Sequence, residues 1–551
     1  MTEIDSLLPV AAILVSAVAV PLVLALRHRP TLREGVTMAA ALGKFGIVAS
    51  MVPGVLAGDA YVADLGTIAT GIRFTFEADP LGVLFAFLAS GLWIVTSLYS
   101  IGYMRGLGEH AQTRYFAAFA ASLSATMGVA FAANLLTLFV CYELLTVATY
   151  PLVTHDETDE ARAAGRKYLA YTFGGGVLAL GGTVLVFWAT GAAGAATTAF
   201  TPGGIADLAT ADPLVARVAF VLLIAGFGVK AALMPLHSWL PDAMVAPTPV
   251  SGLLHAVAVV KSGVFAIARV VLDVFGPDQL ADLGLGLPLA AVAMATVLLA
   301  SVIALRQDNL KRRLAYSTIS QLSYIVLGLA LLQPAALVGA LLHVPAHAFM
   351  KLTLFFCAGA IHVETHTDDI SRMAGIGRRM PLTMAAFALA AAGMAGMPLL
   401  AGFVSKWYLV IGALEAGGGI FAAGLLLSGV LNVAYFWPIV YQAYFETPDE
   451  HDPKPVVEGP IGGAPARATA TDEAAEGTVA DGGSVEHDHH GGPPPEGWRR
   501  AGWRGGESTW FMLGPILATA TGAVALGIAP ETVAFLRIVV EIVAGLPGVV
   551  L

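Results

Sequence analysis

Five lysines lie within long apolar stretches of this sequence, where charged side chains are uncommon. They are Lys44, Lys230, Lys261, Lys351 and Lys406. A charge at the centre of a bilayer costs roughly 2.5–3.5 kcal/mol on insertion scales, so it is rarely kept without a use. A buried lysine can shed its proton, whereas arginine stays charged. The set predicts intramembrane proton-exchanging groups, with Lys44 excepted, since it lies only a few turns into its helix and is expected to extend toward the cytoplasmic surface.

Glu143 is the acidic residue placed deepest in a predicted helix, and Lys230 is its expected partner. Each buried charge favours the charged form of the other, whereas loss of hydration favours the neutral forms. This balance predicts a lysine that can release its proton when the glutamate moves away. The alternative is a static ion pair that only fixes packing, although buried pairs stabilise proteins poorly.

A second set of candidates shares one face of a single predicted helix. His343, His347 and Lys351 are four residues apart, so they form a row about 12 Å long at 1.5 Å rise per residue. Histidine suits proton exchange because both of its forms are accessible near neutral pH. Pro345 lies within the row and is expected to loosen the backbone. The row predicts a water-linked proton relay, and the alternative is a set of satisfied interhelical hydrogen bonds.

Further candidates flank these residues. His255 is six residues before Lys261, nearly opposite it on an ideal helix, so the two need not be neighbours. Lys406 follows a helix break at Met397–Pro398 and is predicted to be the terminal proton site. Asp242 lies in a Pro-rich elbow between two helices, where it is predicted either to guard a cytoplasmic entrance or to cap the next helix.

The composition defines the class of protein in which these residues lie. The chain has 551 residues, of which 57% are hydrophobic and 12% charged, whereas soluble proteins carry about 25% charged residues. This predicts an all-α polytopic membrane protein. Cys141 and Cys357 both fall in apolar stretches and imply neither a disulfide nor a metal site. Without a nucleotide loop or a Cys-rich cluster motif, no cofactor is expected, and no catalytic chemistry is assigned to the chain.

About fourteen segments have the ~20 residues that a membrane-spanning helix requires. They lie near residues 7–26, 36–57, 81–103, 115–133, 134–153, 168–190, 214–236, 250–272, 286–305, 314–332, 335–360, 382–414, 418–445 and 508–529. The first is long enough to span and lacks a small-residue cleavage site, so no cleavable signal is expected. A final amphipathic piece at 531–549 is expected to lie in the membrane interface.

The distribution of basic residues predicts the orientation. Odd-numbered loops up to the eleventh hold Arg27, Arg29, Arg33, Arg105, Arg114, Arg162, Arg166, Lys167, Arg306, Lys311, Arg312, Arg313, Arg372, Arg378 and Arg379. The even-numbered loops hold only Arg73, Arg217 and Arg269. Because basic loops stay in the cytoplasm, the N-terminus is predicted to be outside, in a multi-pass protein of the plasma membrane.

The stretch 447–507 is predicted to be a disordered, acidic cytoplasmic linker. It is rich in Pro, Gly and Ala and cannot bury enough apolar area to fold. Its His487, His489 and His490 are a candidate transition-metal site, and the alternative is a solvated tract.

A weak internal repeat suggests two halves. Leu169–Ala–Tyr–Thr172 and Leu314–Ala–Tyr–Ser317 each follow basic residues, and each half has a Pro-interrupted helix with a lysine. Such paired broken helices indicate a transporter built from inverted repeats. The predicted organisation is 1–110 for helices 1–3, 111–275 for the first half (helices 4–8), 276–446 for the second half (helices 9–13), 447–507 for the linker, and 508–551 for helix 14 and an interfacial tail.

Several long motifs carry a family resemblance. HSWLPDAMVAPTPVSGLLHA, KRRLAYSTISQLS and HAFMK-x-x-LFF-x-x-G occur in order, with Glu143 and Lys230 upstream. Over roughly residues 75–445 the chain resembles the antiporter-like subunits shared by respiratory complex I, membrane-bound hydrogenases and Mrp-type cation/proton antiporters. The resemblance implies fourteen core helices with two inverted five-helix repeats and broken helices 7 and 12. It also implies that Glu143, Lys230, Lys261, His343, His347, Lys351 and Lys406 translocate protons.

Length and lysine pattern resemble most the D subunit of Mrp antiporters. This implies a proton-translocating subunit of a monovalent cation/proton antiporter, with other hydrophobic subunits, protons and Na⁺ as partners and no nucleic acid. The alternative is a proton-pumping subunit of an NADH-quinone oxidoreductase or a membrane-bound hydrogenase. A third interpretation is a partner of a carbon-uptake or other energy-coupled protein.

Overall fold

The computed structural model describes residues 2–69, 71–447, 506–531, 534–547 and 549. Its helices of ten or more residues are α1 (Leu8–Ala25), α2 (Pro30–Leu56), α3 (Pro80–Gly106), α4 (Gln112–Phe131), α5 (Leu135–Val153), α6 (Asp159–Ala193), α7 (Pro213–Lys230), α8 (248–275), α9 (Gly286–Leu305), α10 (Leu310–Ala330), α11 (Pro334–Thr365), α12 (Pro381–Ala395), α13 (Ala401–Glu415), α14 (Gly419–Phe445), α15 (Trp510–Ile528) and α16 (Phe535–Ala544). The predicted linker, with its three histidines, lies almost wholly outside the described residues.

The prediction of a helical, multi-pass membrane protein is confirmed. Ten helices of the described part are long and apolar enough to cross a bilayer. The count of fourteen stays a prediction, because α4 and α10 are too polar to join these ten, α8 is irregular, and the twelfth predicted span is two short helices. The proposed domain boundaries also stay predictions.

Three strands form a small sheet that the sequence did not predict. β1 (Thr2–Asp5) pairs in parallel with β2 (Asp59–Ala69), which pairs antiparallel with β3 (Ile72–Ala78). β3 leads into α3, whose first turn is capped by Asp79 through a hydrogen bond from the Gly82 N–H. The sheet therefore fixes the entry of α3 into the bundle.

Two helices are interrupted where the sequence predicts breaks. α7 ends at Lys230, and the chain then passes through Ala232 with a positive φ of 56° and through Pro235. α12 ends at Ala395 and is followed by Gly396 with φ 95°, a left-handed residue that commonly terminates helices. Both breaks leave helix-terminal carbonyl groups inside the bundle, where they need partners.

Helix α8 is irregular around its lysine. A π turn at Leu253–Val257 is followed by a regular segment at Val259–Arg269 and a second π turn at Val270–Phe275. π turns add a residue to the turn and recur at functional sites. The positions of His255 and Lys261 around the helix therefore differ from those expected of an ideal α-helix.

The predicted interfacial segment contains α16, which packs against the bundle. Phe535, Ile538 and Val539 are buried, and the Phe535 ring lies 5.5 Å from the ring of Phe87 on α3. The apolar face of α16 is thus covered by the protein's own helices.

Glycines allow α6 and α7 to approach closely. A side chain at Gly226 of α7 would overlap the backbone of Gly175 and Ala179 on α6. Small residues at helix interfaces have this effect in membrane proteins because they bring the backbones together. The contact positions the half-helix that carries Lys230.

We expect Gly226→Ala to destabilise the protein by about 1–3 kcal/mol, the usual cost of overpacking. Gly174→Ala is the matched control, because a methyl group there meets open space and gains the same helix propensity. Thermal unfolding of the detergent-purified protein measures both. An unchanged melting temperature for Gly226→Ala would contradict the close packing of α6 on α7.

Candidate functional site

The candidate lysines lie on four different helices of the bundle. Lys230 ends α7, Lys261 lies on α8, Lys351 on α11 and Lys406 on α13. The first three have no exposed surface, and Lys406 is partly buried. Each has hydrogen-bond partners within the protein, as an ammonium or amine away from water requires.

Lys230 is held by the residue next to Glu143. Its Nζ donates to the carbonyl oxygen of Tyr142 at 2.5 Å and lies 3.4 Å from the centroid of the Tyr142 ring. Lys230 is also the last residue of α7, where the helix dipole favours a cation. Gly263 of α8 permits this arrangement, because a side chain there would overlap the backbone at Lys230 and Ala231.

Glu143 and Lys230 do not form a direct ion pair in the described part of the chain. Both carboxylate oxygens of Glu143 are buried without a hydrogen-bond partner there. The two side chains remain close enough to interact electrostatically. In this conformation the predicted pairing is therefore indirect. The Lys230 ammonium donates to the Tyr142 carbonyl oxygen and not to the Glu143 carboxylate.

Lys261 is joined to the histidine row of α11. Its Nζ lies 2.9 Å from Nδ1 of His347, and either group can be the donor, depending on the tautomer. Nε2 of His347 is buried, and no described residue bonds to it. His255 is also fully buried, with both ring nitrogens unpaired among the described residues and its ring 4.8 Å from that of Phe355.

His343 connects the row to α10 and α13. One ring nitrogen lies 2.8 Å from Ser405 Oγ and the other 3.0 Å from Oε1 of Gln321. The ring stacks on that of Tyr324 at 5.5 Å. The centroid of the Tyr324 ring also lies 4.8 Å from the ammonium of Lys406, so this ring contacts both titratable groups.

The direct row His343–His347–Lys351 is not hydrogen-bonded from member to member in the described structure. The two imidazole centroids are 6.1 Å apart, and His347 bonds only to Lys261. The predicted common face is present, but any proton transfer along it needs an intervening group such as water.

A polar chain instead links His343 to Lys351 through α10 and α14. Gln321 Nε2 donates to Asn432 Oδ1 at 3.2 Å, and the Tyr435 hydroxyl contacts Asn432 Oδ1 at 2.5 Å and Ser317 Oγ at 3.1 Å. Lys351 Nζ donates to Ser317 Oγ at 2.9 Å. All members are fully buried.

None of the four polar residues of this chain is predicted from the sequence to be a site residue; they are Ser317, Gln321, Asn432 and Tyr435. The available signal was the group of polar residues within apolar helices, because buried polar groups are nearly always hydrogen-bonded. The amides of Gln321 and Asn432 are not titratable. They can orient His343 and the Tyr435 hydroxyl, but they cannot take up or release a proton themselves.

Lys406 binds the end of the preceding half-helix. Its Nζ donates to the Met394 carbonyl oxygen at 2.5 Å, in the last turn of α12. That carbonyl belongs to a helix C-terminus, where backbone acceptors are unsatisfied and a cation is favoured. The break before Lys406 thus supplies the acceptor for its own lysine.

Asp242 forms an ion pair with α6 and does not cap a helix with its side chain. Its Oδ2 accepts a hydrogen bond from Lys167 Nζ at 2.6 Å, and both side chains are about one third exposed. No side-chain capping bond is formed at the turn that follows Asp242. The ion pair thus joins the Pro-rich elbow to α6.

The prediction that Lys44 extends to the surface is wrong. Its side chain is fully buried, and Nζ donates to Ser16 Oγ at 2.5 Å and to the Leu123 carbonyl oxygen at 2.8 Å. The ammonium also lies 4.8 Å from the Trp93 ring. Partners on α1 and α4 enclose the side chain, and these tertiary contacts cannot be read from the position of Lys44 in its own helix.

A buried ionic cluster lies at the end of α8. Arg269 donates to both carboxylate oxygens of Asp79 at 2.6 and 2.7 Å and to Asp273 at 2.8 Å. Glu77 lines the small cavity beside this cluster. Burial, reinforced by the Asp79 carboxylate, raises the pKa of Glu77 from 4.5 to about 7. The cluster ties the sheet and α3 to α8.

A family model and several known proteins match more than half of this chain. The family model described as "NADH:quinone oxidoreductase/Mrp antiporter, TM" matches residues 132–431, more than half of the chain. NADH-quinone oxidoreductase subunit N of Desulforudis audaxviator is 37% identical over 67% of this chain and 72% of its own length. A Na⁺/H⁺ antiporter subunit from Alkalihalophilus pseudofirmus is 33% identical over 71% of this chain, which spans about half of that longer protein.

A solved structure has the same fold. A chain in the structure of the Mrp complex from Dietzia sp. DQ12-45-1b superposes with a TM-score of 0.78, covering 98% of both chains at 24% identity. At this identity the likeness concerns the fold alone.

The raised pKa of Glu77 predicts how the stability of the protein depends on pH. The unfolded carboxyl releases its proton near pH 4.5 and the folded one near pH 7, so the folded state binds more protons between these values. Stability contributed by this group therefore falls as pH rises through that window and stays lower above it. We expect Glu77→Gln to gain stability relative to the wild type at pH 8 but not at pH 4.

Melting temperatures across this pH range provide the measurement. Glu415→Gln makes the same substitution at an exposed carboxylate and is expected to leave the pH profile unchanged. Parallel profiles for Glu77→Gln and the wild type would show that Glu77 is not penalised by burial.

Proposed function

The chain belongs to the NADH:quinone oxidoreductase/Mrp antiporter family of membrane subunits, and we propose that it translocates protons as one subunit of a multi-subunit monovalent cation/proton antiporter, with Na⁺ as the cation. The observation that carries the proposal is the set of buried amines and imidazoles on α7, α8, α11 and α13. Such groups are costly within a membrane and mark ion pathways.

The proposed path begins at Glu143 and Lys230. Lys230 accepts a proton and releases it when Glu143 moves away, because the carboxylate favours the charged ammonium. The proton passes to Lys261, whose hydrogen bond to His347 joins two groups that both titrate. His343 and Lys351 continue the path on α11, with water between neighbours, and Lys406 is the terminal site.

The proposed orientation follows the positive-inside rule. The N-terminus and the sheet lie outside, and the 447–507 linker lies in the cytoplasm, with the plasma membrane as the host membrane. Asp242 and Lys167 then lie at the cytoplasmic mouth of the first half. His255, which is buried beside the α11 row, is a secondary member of the path.

A second candidate function is favoured by the relative from Desulforudis audaxviator, whose name is that of an NADH-quinone oxidoreductase subunit. In that case the chain pumps protons within a redox complex, and the redox chemistry belongs to partner subunits. The subunits that copurify with the chain distinguish the two functions. Small hydrophobic antiporter subunits support the first, and iron–sulfur or flavin subunits support the second.

We expect Glu143→Gln and Lys230→Ala each to reduce cation-driven proton movement by tenfold or more, because each removes one member of the charge switch. The assay uses the purified assembly in vesicles, with pH-dependent dye fluorescence after Na⁺ or K⁺ addition. Glu415→Gln is the control for the loss of a carboxylate. Undiminished exchange by the two variants would remove Glu143 and Lys230 from the mechanism.

The hydrogen bond between Lys351 and Ser317 predicts that the Ser317 hydroxyl is needed for exchange. Ser317→Ala removes a buried acceptor of Lys351, which costs about 1–3 kcal/mol, so we expect exchange to fall about tenfold. Ser317→Thr keeps the hydroxyl and is expected to retain most of the exchange. Ser323→Ala is the matched control, because among the described residues the Ser323 hydroxyl donates only to the Ile319 carbonyl of its own helix.

Equal exchange rates for Ser317→Ala and Ser323→Ala would contradict a role for Ser317 in positioning Lys351. Equal losses in Ser317→Ala and Ser317→Thr would indicate a packing effect, since only the alanine variant lacks the hydroxyl.

A further inference from the structure

Three potential metal ligands meet where the connection between α3 and α4 lies beside the end of α5. Glu109 and His110 lie in the connection between α3 and α4, and His155 follows the end of α5. One ligand atom from each side chain lies within 4.8 Å of the other two. We propose that Glu109, His110 and His155 bind a divalent transition-metal ion of the Zn²⁺ class.

The geometry is close to that of a zinc site. Oε2 of Glu109 lies 3.7 Å from Nδ1 of His110 and 3.9 Å from Nε2 of His155, and the two imidazole rings are 4.9 Å apart. Tetrahedral zinc with bonds of 2.0–2.1 Å requires ligand atoms about 3.4 Å apart. Small side-chain movements bring the three atoms to that separation.

His155 provides an independent indication of a ligand. Its side chain has no exposed surface, and neither ring nitrogen has a hydrogen-bond partner among the described residues. Buried polar groups in proteins are nearly always satisfied. A metal ion bound at Nε2 would satisfy the nitrogen that faces Glu109.

The donor set defines the class of ion. Two imidazoles and one carboxylate suit Zn²⁺ and similar ions, whereas Mg²⁺ and Ca²⁺ prefer sites made of oxygen atoms. Three protein ligands leave one coordination position for water, as in open zinc sites. The His110 side chain is 49% exposed, so an ion can reach the site from solvent. Once bound, it would join the α3–α4 connection to the end of α5.

The experiment uses the full-length chain with its copurifying subunits in detergent. His487, His489 and His490 of the linker are first replaced by glutamine, because this histidine run could bind Zn²⁺ itself. Zn²⁺ titration calorimetry then measures affinity and stoichiometry in this background, and Co²⁺ absorption reports nitrogen and oxygen ligation. Thermal unfolding with and without Zn²⁺ gives a second readout, since a ligand that binds the folded state raises the melting temperature.

His110→Gln and Glu109→Gln are the test variants, and His28→Gln at an exposed loop position is the matched control. We expect one saturable site in the background protein, a Kd at least tenfold weaker in each test variant, and no change in the control. The Zn²⁺-dependent rise in melting temperature is expected to disappear with His110→Gln, whose metal-free stability should be unchanged because the side chain is half exposed. No saturable site in the background, or equal affinity in the test variants and the control, would overturn the proposal.

Discussion

The arrangement of the site depends on one constraint, which is that an amine inside a bundle of apolar helices must be hydrogen-bonded. Each candidate lysine needs an acceptor from the protein, because an unpaired charge away from water is prohibitive. Lys230 and Lys406 use backbone carbonyls, and Lys351 uses a serine hydroxyl together with the Leu314 carbonyl. Lys261 differs from these three, since its partner is an imidazole. It is therefore the lysine whose partner can itself carry the proton.

The helix breaks follow from this requirement. Continuous helices consume their own carbonyl groups, so they offer few strong acceptors to a neighbouring ammonium. The end of α12 provides one for Lys406, and Lys230 itself lies at the negative end of the α7 dipole. At both breaks, the negative end of a helix dipole therefore stabilises the charge of a lysine. Lys261 lies on α8 between two irregular turns, and its Nζ contacts His347 on α11.

Much of this arrangement could be predicted from the sequence because it depends on local patterns. Apolar stretches predicted the helices, Pro235 and Pro398 predicted the breaks, and spacing of four residues placed His343, His347 and Lys351 on one face. Contacts between distant segments could not be predicted in this way. The sheet pairs residues far apart in the chain, and Lys44 is enclosed by α1 and α4. The Ser317–Tyr435–Asn432–Gln321 chain depends on the packing of α10 against α14, which no single-helix pattern contains.

That polar chain also separates positioning from proton transfer. The groups that it joins, His343 and Lys351, are titratable, but the amides of Gln321 and Asn432 between them cannot exchange protons at neutral pH. In the proposed function, protons that move between His343 and Lys351 pass along the α11 face, where Nδ1 of His347 contacts Lys261 and its Nε2 has no partner among the described residues. The amides keep His343 and Lys351 at fixed positions on either side of His347. Under the proposed function, this hydrogen-bonded support lies beside a path whose members need intervening water, so hydration of the α11 face would control proton transfer.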